Sequence, residues 1–153
     1  MDILSFIERV NIAIQIVKEG YPEAKLYEVG GVVKSNEPTT DPNKIDQLRV
    51  VFQNIDNSTV IIKESDNGKF DRPVFIPEPW LEDSIIDWPI NMDLSKANEL
   101  KEKAGYKNSY LSVTLRTPLD SVPRNPYFIF MGDVTVPSIF VNTITGEVKV
   151  GSF

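Results

Sequence analysis

Apolar residues recur at spacings of three and four near the start of the chain: Ile3, Phe6, Ile7, Val10, Ile14 and Val17. That period puts them on one stripe of a helix. Asp2 is placed to cap its start, Gly20 to end it in the left-handed conformation, and Pro22 to stop it resuming. The period then shortens. "AKLYEVGGVV" reads as a strand broken at Gly30-Gly31, which suits a bulge or a sharp bend. "QLRVVFQNI" sets Leu48, Val50 and Phe52 against Arg49 and Gln53, as a half-buried strand does. "DNS" turns the chain into the strand "TVIIKES", and Asp66-Asn67-Gly68 marks a tight hairpin, because Asn-Gly accepts positive φ.

Pro73, Pro77, Pro79 and Pro89 interrupt the middle of the chain and prevent continuous ladder pairing or helix there. Trp80, Trp88, Phe75, Ile76, Ile85 and Ile86 make this stretch too apolar for a disordered linker, so it reads as an ordered connector. A second helix follows in "DLSKANELKEKAG". Asp93 caps it, Leu94, Ala97, Leu100 and Ala104 form its stripe, Glu99 and Lys103 pair across one turn, and Gly105 ends it. "YLSVTLRTPL", "YFIFM", "SIFV" and a last strand after Thr145-Gly146 complete the chain.

The order of elements thus repeats. Gly20, Tyr21 and Leu26 correspond to Gly105, Tyr106 and Leu111, and "VIIKESDNGKF" corresponds to "SIFVNTITGEV". An antiparallel sheet with one face covered by its helix is the smallest stable answer to each half. The expected fold class is therefore α+β: two tandem units, each a helix packed on an antiparallel sheet of about three to four strands. The first unit is expected in residues 1–70, the connector in 71–92 and the second unit in 93–153.

The second half, with its Asp-Leu-Ser helix start, the glycine after the helix and the closing hairpin "VNTITGEV", resembles a PepSY-type module, a helix on an antiparallel sheet that is broadly cystatin-like. Tandem copies of such a unit resemble the layout of beta-lactamase inhibitory proteins, which carry disulfides where this chain has no cysteine. The resemblance implies binding or inhibition, often outside the cytoplasm, and supplies no catalytic residue.

Composition narrows the chemistry. The 153 residues hold neither histidine nor cysteine, which removes imidazole bases, thiolate nucleophiles, disulfides and the usual zinc ligands. The net charge of −6 disfavours a phosphate backbone or an anionic lipid surface, so neither nucleic acid nor membrane insertion is expected. The N-terminal stretch lacks a basic leading region and a small-residue cleavage site, so it does not read as a signal peptide. The chain as it stands is expected in the cytoplasm, with export behind a removed leader as the alternative. Glu82, Asp83 and Asp87 beside two tryptophans have the makings of a glycosidase-like acid pair, but neighbours on a loop do not set the carboxylate spacing such chemistry needs, so a solvated acidic connector is the expectation and no catalytic residue is assigned. No cofactor and no metal site are expected.

The second sheet carries the remaining signal. In "YFIFM", Tyr127, Ile129 and Met131 occupy one face while Phe128 and Phe130 occupy the other, and "SIFV" sets Phe140 opposite Ile139 and Val141. A sheet wet on one side should alternate, whereas this one is apolar on both. The helix covers one face, which leaves the other for the first unit, the connector or a partner. The leading expectation is a non-enzymatic protein-binding or inhibitor-like module. Its contact residues would be Phe128, Phe130 and Phe140, with Trp80 and Trp88 at the rim, and its partner another protein. A small-ligand protein or enzyme with a pocket between the two units, and a self-assembling structural role, are the alternatives.

Overall fold

A computed structural model describes residues 4–81, 83–119, 122–133 and 135–151. Helix α1 spans Phe6–Gly20 and buries Phe6, Val10, Ala13 and Val17. Asp2 lies outside the described residues. Ser5 caps the helix, its side chain accepting from Glu8 N while its own N–H donates to the Glu8 carboxylate. The helix closes on Tyr21, whose N–H donates to Val17 O, so Gly20 needs no left-handed turn.

Strands β1 (Lys25–Val33), β2 (Ile45–Gln53), β3 (Thr59–Asp66), β4 (Lys69–Phe70), β5 (Val74–Ile76) and β6 (Asp83–Ser84) precede helix α2 (Leu94–Lys103). Strands β7 (Ser112–Pro118), β8 (Tyr127–Met131), β9 (Ile139–Asn142) and β10 (Val148–Val150) follow it. The expected two tandem helix-on-sheet units are not what forms. Among the described residues all ten strands join one antiparallel sheet in the order β10-β9-β8-β7-β1-β2-β3-β4, with β5 also on β3 and β6 on β7. The physical reason is edge satisfaction. Two separate units would each leave the first strand after the helix, β1 or β7, with a bare ladder edge. Here those edges pair with each other, from Glu28↔Arg116 through Gly30↔Thr114 to Val32↔Ser112. The seam continues past the strands through Val33 N–H to Leu111 O and the Thr39–Tyr110 bridge.

The hairpin and break signals hold. Gly68, Gly105 and Gly146 all take positive φ at the turns assigned to them. The β1–β2 register shifts between Gly30 and Val32, a bulge at the glycine pair. A Cβ on Gly31 would stand 2.5 Å from Ile45 Cγ2, so the bare backbone lets β2 close over β1.

Both helices cover the same face. Phe6 of α1 meets Phe128 edge-on at 5.2 Å between centroids, and Lys101 of α2 lies over the Phe130 ring at 5.7 Å. The α2 face is rotated from the expected stripe: Leu94, Ala97, Asn98 and Lys101 are buried, and Ala104 is exposed. Two polar residues sit there because each has partners. Asn98 Oδ1 accepts from Tyr110 OH at 2.9 Å, and Lys101 Nζ donates to Tyr106 O and Asn108 O at 2.9 and 2.8 Å. Two further buried charges pin α1 to the sheet. Arg9 grips Glu64 with two N–H groups, and Glu64 also accepts from Leu48 N and Gly68 N.

Phe128 is fully buried beneath the helix layer, beside Leu115 of β7. Phe128→Ala is expected to lower the unfolding free energy by about 3–5 kcal/mol in a urea titration. A loss under about 1 kcal/mol would contradict its place in the core.

Candidate functional site

The register divides the three candidate phenylalanines between the two faces of the sheet. Phe128 lies opposite Leu115 and Val141, and Phe130 opposite Val113 and Ile139, all beneath the helices. Phe140 lies opposite Ile129 on the helix-free face, where it packs edge-on against Tyr127 at 6.2 Å. Tyr127, Ile129 and Phe140 form a small buried cluster with Met131 against it. None of the three phenylalanines is open to solvent, with exposures of 0%, 2% and 6% in chain order. Both tryptophans are half-buried and spend their indole N–H inside the molecule. Trp88 donates to Asn11 Oδ1 and Trp80 to Asp83 Oδ2, each at 2.8 Å.

Trp80 leads to the most perturbed group of the helix-free face. Glu28 of β1 and Asp83 of β6 lie against each other there, 6% and 4% exposed. Arg49 of β2 donates to Glu28 Oε2 at 2.9 Å and stacks under the Trp80 ring, 5.6 Å from its centroid. Arg116 of β7 stands opposite Glu28 in the ladder and brings Nε to within 2.7 Å of Asp83 Oδ1, an ion pair bent away from hydrogen-bonding geometry. Burial raises the Glu28 carboxyl to about 7, helped by the negative charge of Asp83 and the hydrogen bond between the two acids. Arg49 pulls the other way and loses, since its side chain is 45% exposed and its charge is screened by water. At neutral pH Glu28 therefore keeps its proton for part of the time.

A carboxyl poised near neutrality is a common mark of acid–base chemistry. A reaction also needs room for a substrate, and neither carboxyl lines any of the five surface depressions described next. Two of them flank the connector. One, of about 230 Å³, lies between α1 and Ile85–Trp88, and one of about 270 Å³ lies between Ile85–Asn91 and the loop at Arg124. Both fall below the roughly 300–1,000 Å³ usual for small-molecule sites. A third, of about 50 Å³, lies where the starts of α1 and α2 meet. Among the described residues no group of three or more acids comes together to hold a metal, and no helix is long and apolar enough to cross a membrane.

The last two depressions, of about 510 and 320 Å³, adjoin each other on either side of Ile55. Ile55 is 80% exposed at the tip of the β2–β3 turn. That turn is braced internally. Asn54 N donates to Ser58 O at 2.8 Å, Asn57 N to Asn54 O, Asn54 Nδ2 to Ser58 Oγ and Ser58 N to Asp56 Oδ1. Beside it Tyr21 and Phe75 stack in parallel, 6.3 Å apart and 5° from coplanar, with Phe75 half exposed. Pro22, Tyr21, Ile55 and Phe75 line one hollow, so three segments distant in sequence converge on a single apolar knuckle. An isoleucine inside a polar turn, "QNIDNS", was the sequence signal for it.

The folded-state preference for protonated Glu28 sets a pH dependence. Between its ordinary value of 4.5 and about 7, the folded chain holds a proton that the unfolded chain releases. Stability is then full below the lower value and falls as pH rises toward 7, by at most about 1.4 kcal/mol per pH unit. Glu28→Gln, a neutral mimic of the protonated acid, is expected to flatten that fall in denaturant titrations at pH 5, 6 and 7. An unchanged slope in the variant would contradict the assignment to Glu28.

Comparison with protein-family models, with curated proteins and with solved structures finds no match for this chain.

Proposed function

We propose that the chain is a protein-binding module without catalytic chemistry of its own, and that its contact surface is the knuckle of Tyr21, Pro22, Ile55 and Phe75. The observation that carries this reading is Ile55, a large aliphatic side chain held out in water by a turn whose hydrogen bonds are satisfied without it. A lone exposed hydrophobe is ordinary. One fixed on a rigid turn, beside a stacked aromatic pair and between two hollows, has the form of an interface anchor with its surrounding ring. The bracing also lowers the ordering cost of association.

Placing a photo-crosslinking phenylalanine analogue at Phe75 in the producing cell is expected to trap one discrete heterologous adduct. Ile55→Asp should abolish the adduct while leaving stability within about 0.5 kcal/mol. The same adduct formed from a crosslinker at the exposed Lys103 would contradict the assignment, as would no adduct at all. An adduct of twice the chain mass would replace this reading with self-assembly.

A further inference from the structure

The tip of the β3–β4 hairpin is Asn67-Gly68, set between the paired Asp66 and Lys69. Asn67 is the one asparagine of the chain that a glycine follows. That dipeptide is chemically labile. Once Gly68 N loses its proton it can attack Asn67 Cγ, because glycine has no Cβ to crowd the approach and turns freely about its backbone. In the folded chain this nitrogen is engaged. Gly68 N donates to Glu64 Oε2 at 2.9 Å. Glu64 is buried, and its carboxylate is held in turn by Arg9 of α1, whose Nε lies 2.8 Å from Oε2 while a second guanidinium N–H donates to Oε1. Leu48 N donates to the same Oε1 at 3.1 Å. The tip also rests against α1 and the residue before its cap: a Cβ at Gly68 would stand 2.6 Å from Leu4 Cδ1 and 3.3 Å from Ile12 Cδ1.

We propose that Asn67-Gly68 is a self-modification site kept shut by Glu64, so that Asn67 is deamidated only in chains whose hairpin has come away from α1. The reaction needs only water. Gly68 N forms a bond to Asn67 Cγ, the Cγ–Nδ2 bond breaks, and the side-chain nitrogen leaves as ammonia with the proton from Gly68 N. Water then opens the cyclic imide at one of its two carbonyls. Attack at Cγ restores the main chain and leaves aspartate. Attack at the main-chain carbonyl routes the chain through the side chain as isoaspartate. The Glu64 bond opposes the first event twice. It holds the Gly68 proton in a charge-assisted hydrogen bond, and removing that proton would set a new negative charge directly against a buried carboxylate. The same carboxylate is the group by which Arg9 pins α1, so hairpin and helix are secured by one residue. Either product adds a carboxylate beside Asp66 and Glu64, and isoaspartate also lengthens the backbone of a tight turn. The mark is therefore a lasting record that the hairpin has opened. This inference does not rest on the binding proposal.

To test this, the full chain is incubated folded and in urea that unfolds it, at the same pH. The tryptic peptide of residues 64–69 is then followed by mass spectrometry, with aspartate and isoaspartate separated by chromatography. Both products are expected, and the folded chain is expected to react at least about ten-fold more slowly than the unfolded one. Loss of the same N–H proton begins both deamidation and hydrogen exchange. The slowing is therefore expected to match the exchange protection of the Gly68 amide to within about three-fold. Glu64→Gln removes the charge and keeps the shape, and is expected to speed the folded chain's reaction by about ten-fold. If that variant folds poorly, the wild-type comparison decides alone, because Glu64 is the acceptor of the Gly68 N–H. Overturning results are equal rates in the folded and unfolded chain, no reaction in either, aspartate without isoaspartate, a slowing that departs further from the Gly68 protection, or a folded Glu64→Gln chain that reacts no faster than wild type.

Discussion

The antiparallel pairing of β1 with β7 is the constraint on which the rest of this structure depends. Each strand follows its helix and would otherwise end its half-sheet with an unpaired ladder edge. Their union makes one sheet, puts α1 and α2 on the same face, and gives the chain a single main core that draws on both halves, Val17 and Ile139 among its members. It also sets Glu28 opposite Arg116 and, through β6 on the same strand, brings in Asp83. The seam is both the mechanical centre and the source of the molecule's most unusual electrostatics.

The buried charges on the two faces are handled differently. Under the helices, Glu64 is surrounded by donors: the Arg9 guanidinium, Leu48 N and Gly68 N. Lys101 is likewise saturated by two carbonyls and flanked by the rings of Tyr110 and Phe130. On the helix-free face Glu28 has one donor on a half-exposed arginine and a second acid as neighbour. Burial and that partner list push the Glu28 carboxyl toward its protonated form. The asymmetry is local and follows from which residues the register sets side by side.

Much of the local structure was legible in the sequence, because its causes are local. The 3.6-residue stripe of Phe6 to Val17, the cap at Asp93, the Asn-Gly and Thr-Gly turns and the glycine bulge each follow from residues within a few positions. The repeated order of elements was also real as an order. What joins the halves was not legible, since strand edges choose partners across the whole chain and no local pattern names them. The two-sided apolar pattern of Tyr127 to Met131 marked a central strand, but pattern alone did not say that Phe128 and Phe130 face the helices. Asp83 read as one more solvated acid because its burial comes from β7, and nothing in "AKLYEVGGVV" singled out Glu28. Asn98 and Lys101 were missed on α2 because their burial rests on Tyr110 and the loop carbonyls beyond the helix.

The central claim, that the two halves form one cooperative body through their shared seam, is tested most directly by residue-resolved hydrogen exchange as urea is raised. The account predicts that protected amides of β1, β2, β7 and β8 converge on one unfolding free energy with one urea slope. Convergence of β7–β9 on a lower value than β1–β3 would mean two units that merely touch, and would contradict it.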